Sequence, residues 1–222
     1  MSNTASPIAI NYYSEVLCVW AWIAQPRLEE LHRQWGDRIT IRYRYLDIFG
    51  DSHGKIAQQW GASDGFEKFG AHVAKSAAAF DQLSVHPDIW TKVRPRSSLQ
   101  AHLLLRAVAL VSGEAVAETV AGRIRRAFFS AAADIGDTTT LLDIASREQI
   151  DPQLLEAALG DGSAMAALSD DQRSANALAV RGSPTWVLNE GRQVLYGNVG
   201  YRILNANIEE LARHPKAGAS WC

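Results

Sequence analysis

Two strands and a helix between them are marked by the apolar and polar positions at the start of the chain. Every second side chain of residues 38–46 is apolar, a period of two that predicts a half-buried strand. Residues 7–13 form a short apolar run that predicts another strand. Between them, apolar side chains recur at helical spacing from Ala24 to Trp35, and Gly36 follows as a stop signal. The two strands are therefore expected to lie parallel.

The middle of the chain, residues 55–180, carries helical signals and no convincing strand. Ser97 and Gln100 have the spacing of a capping box and precede an apolar segment that predicts a buried helix. Asp137 and Asp151 stand where helix N-caps are expected, and a proline follows Asp151.

The end of the chain returns to strands. Thr185–Leu188 and Gln193–Tyr196 flank a turn-forming segment, which predicts a hairpin. Apolar side chains from Tyr201 to Leu211 then recur at helical spacing. The predicted fold class is α/β, with a β-α-β unit and a β-β-α unit separated by a large all-helical insertion.

Composition limits the classes of protein that the chain can represent. The 222 residues are 47% hydrophobic and 21% charged, with a formal net charge of −2, which indicates a globular protein and argues against general nucleic-acid binding. No apolar run approaches the length of about 20 residues that a membrane helix needs. The start carries no signal-peptide pattern and the two cysteines form no disulfide framework, so a cytoplasmic location is expected.

Cys18 is the first candidate for chemistry. It stands between the first predicted strand and the first helix, where unpaired helix N–H groups and the helix dipole favour the thiolate form. We therefore expect a lowered thiol pKa, because the thiolate is the reactive form. The alternative is a buried and inert cysteine.

Ser183-Pro184-Thr185 is the second candidate. Pro184 stands at the beginning of a predicted strand, which is a permitted place for proline. Taken alone, the segment is typical of an ordinary turn that leads into a strand, and a cis bond is found at only about 5–6% of X–Pro bonds.

Together these segments resemble the DsbA-like branch of the thioredoxin superfamily, particularly FrnE-like and 2-hydroxychromene-2-carboxylate-isomerase-like proteins. Cys18-Val19-Trp20-Ala21 is similar to the family's C-P-W-C, Gly182–Val187 is similar to its G-x-P-T-F-V, and residues 95–102 are similar to a segment that opens its insertion helix. The resemblance implies a cis proline at Pro184, beside the cysteine. It also implies a thioredoxin-like domain of residues 1–54 and 181–213, a helical insertion domain of residues 55–180, and a tail of residues 214–222.

The chain departs from the family pattern at two places. Ala21 replaces the second cysteine, so the motif cannot form a local disulfide. Tyr12 stands where many relatives have a buried acid, so a carboxylate proton relay is not expected at that position. His102, on an apolar helix, is expected to be a core or cleft residue, and Arg125 is expected on a solvated helix face.

The resemblance implies a thiol-disulfide oxidoreductase or isomerase. Cys18 would be the nucleophile, Ser183, Pro184 and Thr185 would dock the substrate, and glutathione or a protein thiol would be the partner. One alternative is a glutathione-dependent isomerase or kappa-like transferase acting on a small aromatic substrate, in which the turn at Asn198 holds the γ-glutamyl end. Another is a redox-inactive binding module. The resemblance further implies a homodimer.

Cys222 is a candidate resolving thiol for Cys18. It follows a tryptophan at the end of the chain, and the tail is long enough to fold back. The alternative is a frayed terminus with an uninvolved thiol. The six histidines show no metal-binding spacing, so no metal is expected.

Overall fold

The computed structural model describes residues 6–214, which contain one four-stranded sheet. Its strands are β1 (Ile8–Ser14), β2 (Ile39–Tyr45), β3 (Thr185–Leu188) and β4 (Gln193–Tyr196), and their order in the sheet is β2-β1-β3-β4. The β1–β2 pair is parallel, whereas β3 is antiparallel to both β1 and β4. The predicted α/β class with a thioredoxin-like core and a helical insertion is confirmed.

The helices of the described residues fall between these strands in three groups. One α-helix connects β1 to β2, seven lie between β2 and β3, and one follows β4; a 3-10 helix (Gly36–Arg38) precedes β2 and a π-helix (Ile89–Val93) lies before the fourth α-helix. They are α1 (Val19–Trp35), α2 (Ser52–Trp60), α3 (Gly65–Ala77), α4 (Leu99–Ser112), α5 (Glu114–Ala131), α6 (Thr138–Ala145), α7 (Pro152–Gly160), α8 (Ser163–Ala177) and α9 (Tyr201–Arg213). None of the helices in this part of the chain combines the length and apolar character that crossing a bilayer requires.

The β1–α1–β2 unit follows the predicted pattern closely. In β2 the side chains alternate, with Ile39, Ile41, Tyr43 and Tyr45 buried. Gly36 ends α1 with a φ of 47°, a left-handed conformation that glycine adopts without the steric cost of a Cβ atom. The chain then enters β2, whose first residue pairs with Ile8 of β1.

The β3–β4 hairpin has the predicted bounds. Its turn contains two non-glycine residues with positive φ, Asn189 at 49° and Glu190 at 60°, followed by Gly191 at 94°. Val187 is opposite Val194 in the antiparallel register. The hairpin adds β4 as an edge strand, and β3 is buried between β1 and β4.

The helical layer is organised around α4, which packs against α5, α7 and α8. Two predicted helix caps are confirmed. The Asp137 carboxylate accepts the backbone N–H of Thr140, and the Asp151 carboxylate accepts those of Gln153 and Leu154. Buried side chains of this layer and of the sheet form one large cluster and a second cluster of five residues. The division into residues 1–54 with 181–213, residues 55–180 and residues 214–222 therefore stays a prediction.

Two predictions in the helical layer are wrong. The N-cap of α4 is Ser98 rather than Ser97; the Ser97 hydroxyl only accepts the Leu99 N–H. The Ser98 hydroxyl instead points away from its helix toward the sheet, where it binds a carboxylate described below. Arg125 is fully buried, and its guanidinium donates to the Ser14 hydroxyl at the end of β1.

Candidate functional site

Cys18 is the N-cap residue of α1 and follows directly on the turn that leaves β1. Its backbone is extended, with φ −80° and ψ 119°. Its N–H donates to the Glu15 carbonyl, and its carbonyl accepts the N–H groups of Ala21 and Trp22 at 3.1 Å. These bonds fix the turn on both sides of the thiol. The Cys18 side chain keeps part of its surface exposed.

The segment before β3 lies beside this thiol because β3 is antiparallel to β1. Thr185 at the start of β3 is opposite Tyr13 near the end of β1. The residues before Thr185 therefore lie at the same end of the sheet as Cys18. The Cys18 Sγ donates to the Ser183 carbonyl at 3.3 Å, and the Ser183–Pro184 peptide bond is cis.

The other predicted site residues on this segment are also nearby. The Thr185 hydroxyl is buried and donates to the Gly182 carbonyl at 2.7 Å, so it closes the turn before β3. The Gly197 N–H donates to the Pro184 carbonyl at 2.8 Å. This bond brings the turn that contains the exposed Asn198 next to Pro184.

The residues after Cys18 differ in their access to solvent. Val19 and Ala21 are buried, whereas Trp20 is half-buried and packs against the main core. The position of the missing second cysteine is thus inaccessible to solvent, since Ala21 is fully buried. Cys222, the candidate resolving thiol, lies outside the described residues.

A buried carboxylate that the sequence pattern did not reveal as a site residue lies below the Cys18 turn. Glu15 is fully buried. Its Oε1 accepts the Leu17 N–H at 3.2 Å, and its Oε2 accepts the N–H groups of Ile48 and Phe49 at 3.3 and 3.0 Å. Its own N–H donates to the Ser183 hydroxyl at 3.0 Å. Glu15 therefore connects the Cys18 turn to the loop after β2 and to the Ser183 segment.

Two side chains of the helical layer complete the surroundings of Glu15. The Ser98 hydroxyl donates to Oε2 at 2.9 Å, and Nε2 of His102 lies 3.2 Å from Oε1. The same nitrogen is 3.3 Å from the Val16 backbone nitrogen. The His102 ring is fully buried and stacks on Tyr45 with a centroid distance of 4.9 Å. His102 is thus a core residue, as expected, but one that contacts the carboxylate under the thiol.

The available signal for Glu15 was an acid directly after a predicted strand, followed by the apolar Val16 and Leu17. Sequence reasoning looked for the acid at Tyr12, which is fully buried against Tyr43 and Trp186. The carboxylate is instead supplied by Glu15, three positions nearer to Cys18. Only the fold shows that its partners come from α4.

Burial acts on the two titratable groups of the site with different outcomes. Burial alone would raise the pKa of Glu15, but the charge and hydrogen bond of His102 and the backbone N–H groups of Leu17 and Phe49 lower that pKa below its ordinary value. Burial raises the pKa of the Cys18 thiol. The opposing effects of Ser183 and of the helix N–H groups are smaller, and the Glu15 charge adds to the increase.

The expectation of a lowered Cys18 pKa is therefore wrong. The helix N–H groups act in the expected direction, but loss of hydration around the sulfur is larger. The resting side chain is a thiol that donates to the Ser183 carbonyl. Among residues 6–214, no group of three or more His, Cys, Asp or Glu side chains is arranged to hold a metal ion.

Comparisons with known proteins identify the family and the fold. The family model of a DSBA-like thioredoxin domain matches residues 9–209. No curated protein matches the chain in sequence. Among solved structures, a provisionally named protein disulfide isomerase from Nitrosomonas europaea has a TM-score of 0.77 and 13% identity, covering 93% of this chain and 98% of that one.

Two further structures extend the comparison. The cytosolic disulfide reductase DsbM from Pseudomonas aeruginosa has a TM-score of 0.68 and 21% identity, covering 92% of this chain and 98% of that one; it is also known with GSH bound. A 2-hydroxychromene-2-carboxylate isomerase has a TM-score of 0.65 and 16% identity, covering 93% and 97%. At identities this low, the structural similarity establishes a shared fold alone.

Proposed function

Because the chain belongs to the DsbA-like thioredoxin domain family, a family of thiol oxidoreductases, we propose that it exchanges disulfides through the single active-site thiol of Cys18. One observation carries this proposal. Cys18 is a partly exposed residue, and its Sγ lies 3.3 Å from the carbonyl of Ser183, the residue before the cis Pro184. A substrate backbone that pairs with Ser183 would place its sulfur against Cys18.

The reaction begins with loss of the Cys18 proton, because the thiolate is the nucleophile. A substrate backbone N–H that donates to the Ser183 carbonyl replaces the thiol as the donor at that oxygen. The thiolate attacks one substrate sulfur, so the substrate S–S bond breaks while a Cys18–substrate disulfide forms. The leaving thiolate takes up a proton from solvent. Since Ala21 removes the local second thiol, an external thiol then attacks the mixed disulfide and releases Cys18.

Glutathione is the external thiol that we propose. The DsbM neighbour is known with GSH bound, and the turn at Gly197 and Asn198 is fixed beside Pro184 by the hydrogen bond to the Pro184 carbonyl. The exposed Asn198 amide would hold the γ-glutamyl end of glutathione, next to a backbone paired with Ser183. A cytoplasmic location, where glutathione is reduced, and a homodimer belong to the same proposal.

The test is turnover of a glutathionylated peptide with glutathione as reductant. Cys18→Ser is expected to lose all activity above the uncatalysed rate, since serine forms no disulfide. Cys222→Ser is the matched control, and it separates an external resolving thiol from a resolving tail. Full activity of Cys222→Ser supports glutathione as the resolving thiol, whereas exchange activity that survives Cys18→Ser would refute the assignment of the nucleophile.

A second candidate is favoured by the protonated state of the resting thiol. Burial raises the Cys18 pKa, and a protonated Cys18 donates a hydrogen bond, as it does to Ser183. In a glutathione-dependent isomerase it would donate to the sulfur of bound glutathione and never be oxidised. Glutathione-dependent isomerisation of 2-hydroxychromene-2-carboxylate that survives Cys18→Ser, with no disulfide exchange, would select this alternative. Peptide binding with neither activity would indicate a redox-inactive binding module.

A further inference from the structure

A polar pocket opens beside the Ser183 segment, and its charged lining residues take no part in the Cys18 site described above. Its volume is about 250 Å³. Three structural segments form its walls: the loop after β2, the end of α8, and the residues just before the cis bond. Its lining residues are Leu46, Asp47, Ile48, Gln172, Ala175, Asn176, Val180 and Arg181.

The pocket adjoins the Cys18 site through Glu15. The Ile48 N–H donates to the Glu15 carboxylate, and the Glu15 N–H donates to the Ser183 hydroxyl. The wall that contains Ile48 is thus one hydrogen bond away from Glu15. The wall that contains Arg181 is two residues away from Ser183, a separation of at most about 7 Å. A small molecule whose sulfur contacts Cys18 would have to extend a polar end past Ser183 to reach this pocket.

The pocket carries one charge of each sign, and both are exposed. The Arg181 guanidinium donates to the Asn176 side-chain oxygen at 3.2 Å. The Asp47 carboxylate accepts the Gly50 N–H at 3.1 Å. Within residues 6–214, the ion pairs involve other side chains, so neither Arg181 nor Asp47 is neutralised by an opposite charge. The Gln172 amide adds a neutral polar group to the lining.

We propose that this pocket binds the amino-acid head group of a small disulfide substrate, with Arg181 taking its carboxylate and Asp47 its ammonium group. Guanidinium groups match carboxylates in shape and charge, and an aspartate in the same pocket lining would favour a head group that also carries a positive charge. The inference rests on the proposed disulfide exchange at Cys18. It makes the protein selective for amino-acid disulfides over disulfides without a carboxylate.

The step itself is balanced. The Cys18 thiolate attacks one sulfur of the disulfide, the bond between the two substrate sulfurs breaks, and a disulfide between Cys18 and one half of the substrate forms. The other half leaves as a thiolate and takes up a proton. No net oxidation occurs, so the disulfide is the only co-reactant. The pocket holds the half that stays attached or the half that leaves, and in both cases it binds a carboxylate.

The test compares cystine with cystamine, which differ by one carboxylate on each half. Single-turnover rates of Cys18 modification are measured by intact mass in the Cys222→Ser protein. Each rate is divided by the rate for the same protein unfolded in urea, which removes the intrinsic reactivity of the disulfide. Glutathione disulfide is a third arm, because its carboxylates lie farther from the sulfur. This arm shows whether the pocket takes a head group close to the reacting sulfur or one farther from it.

We expect the folded protein to favour cystine or glutathione disulfide over cystamine by about fivefold, the size of one partly exposed charge-assisted contact. Arg181→Gln should reduce this ratio toward one. Arg173→Gln is the matched control, because Arg173 is an exposed arginine of α8 outside the pocket lining, and it should leave the ratio unchanged. Asp47→Asn should reduce the rate with cystine.

Equal normalised rates for all three disulfides, or a ratio that Arg181→Gln leaves unchanged, would overturn the pocket assignment while disulfide exchange at Cys18 stands. A folded protein whose Cys18 reacts with none of the disulfides would overturn the proposed function and this inference with it. A ratio lost equally in Arg173→Gln would show a general charge effect and would also overturn the pocket assignment.

Discussion

The contacts within the sheet differ in kind from the contacts between the sheet and the helical layer. Within the sheet, backbone hydrogen bonds join the strands in regular registers. Between the sheet and the helices, apolar side chains pack in a common core, and buried polar side chains add specific connections at the ends of β1 and β2. Glu15 binds Ser98 and His102 of the α4 region, and Ser14 binds Arg125 of α5.

This difference shows what positions the candidate site. Cys18 lies just after the end of β1, where these polar connections are located. The Glu15 carboxylate receives donors from its own turn, from the loop after β2 and from the helical layer. The helical layer is therefore a support for the Cys18 turn as well as a cover for the sheet.

The largest effect is expected for Glu15→Ala. It leaves the buried N–H groups of Leu17 and Phe49 and the Ser98 hydroxyl without their acceptor, and loss of a buried charged partner costs about 3–5 kcal/mol. The measurement is the free energy of unfolding in urea. Glu15→Gln is the control, because it keeps one acceptor oxygen and should cost less. Equal stabilities of wild type and Glu15→Ala would refute the supporting role.

A second connection joins α8 to β2 through Asp171. This fully buried carboxylate lies 2.9 Å from the Arg44 guanidinium and accepts the Tyr45 N–H. Asp171→Asn should lower the free energy of unfolding by about 3 kcal/mol, since it removes the charge of a buried carboxylate that both Arg44 and Arg106 contact. The neighbouring Asp170 binds the same guanidinium but is exposed, so Asp170→Asn should cost less than about 1 kcal/mol. Similar losses in both variants would contradict the account.

The serines before α4 give a smaller contrast. Ser98→Ala removes a buried donor to Glu15 and should cost about 1–2 kcal/mol. Ser97→Ala removes a hydroxyl that accepts the Leu99 N–H and should cost about 0.5 kcal/mol. The capping box that the sequence suggests predicts the reverse order. Urea unfolding of the two variants distinguishes them, and a larger loss in Ser97→Ala would favour the capping box.

The smallest effect concerns the pH dependence of stability. Because the folded-state pKa of Glu15 is lowered, its carboxylate contributes stability above the ordinary glutamate value of about 4.3, and this contribution is lost as pH falls through the folded-state pKa. The midpoint temperature of thermal unfolding should therefore fall less steeply between pH 6 and pH 3 in Glu15→Gln than in wild type. An equal decline in the two proteins would show that Glu15 titrates normally.

The sequence allowed good prediction of the strands and little of the polar connections. The bounds of β3 and β4 were predictable because each depends on a local run of side chains and on the turn between them. The approach of Ser183 to Cys18 followed from family resemblance, and the roles of both residues remain proposals. Glu15 was missed because its partners Phe49, Ser98 and His102 are far away in the chain. Arg125 was misplaced because helical spacing alone does not show that its hydrogen-bond acceptor, Ser14, is buried.

The central claim is that the fold holds Cys18 as a reactive single thiol beside Ser183. The most direct measurement is intact mass of the Cys222→Ser protein after exposure to oxidised glutathione at two pH values, with peptide mapping. The account predicts one glutathione adduct, located on Cys18, that forms faster at the higher pH because burial raises the pKa of the thiol. No adduct on the folded protein, with an adduct on the same protein unfolded in urea, would contradict the claim.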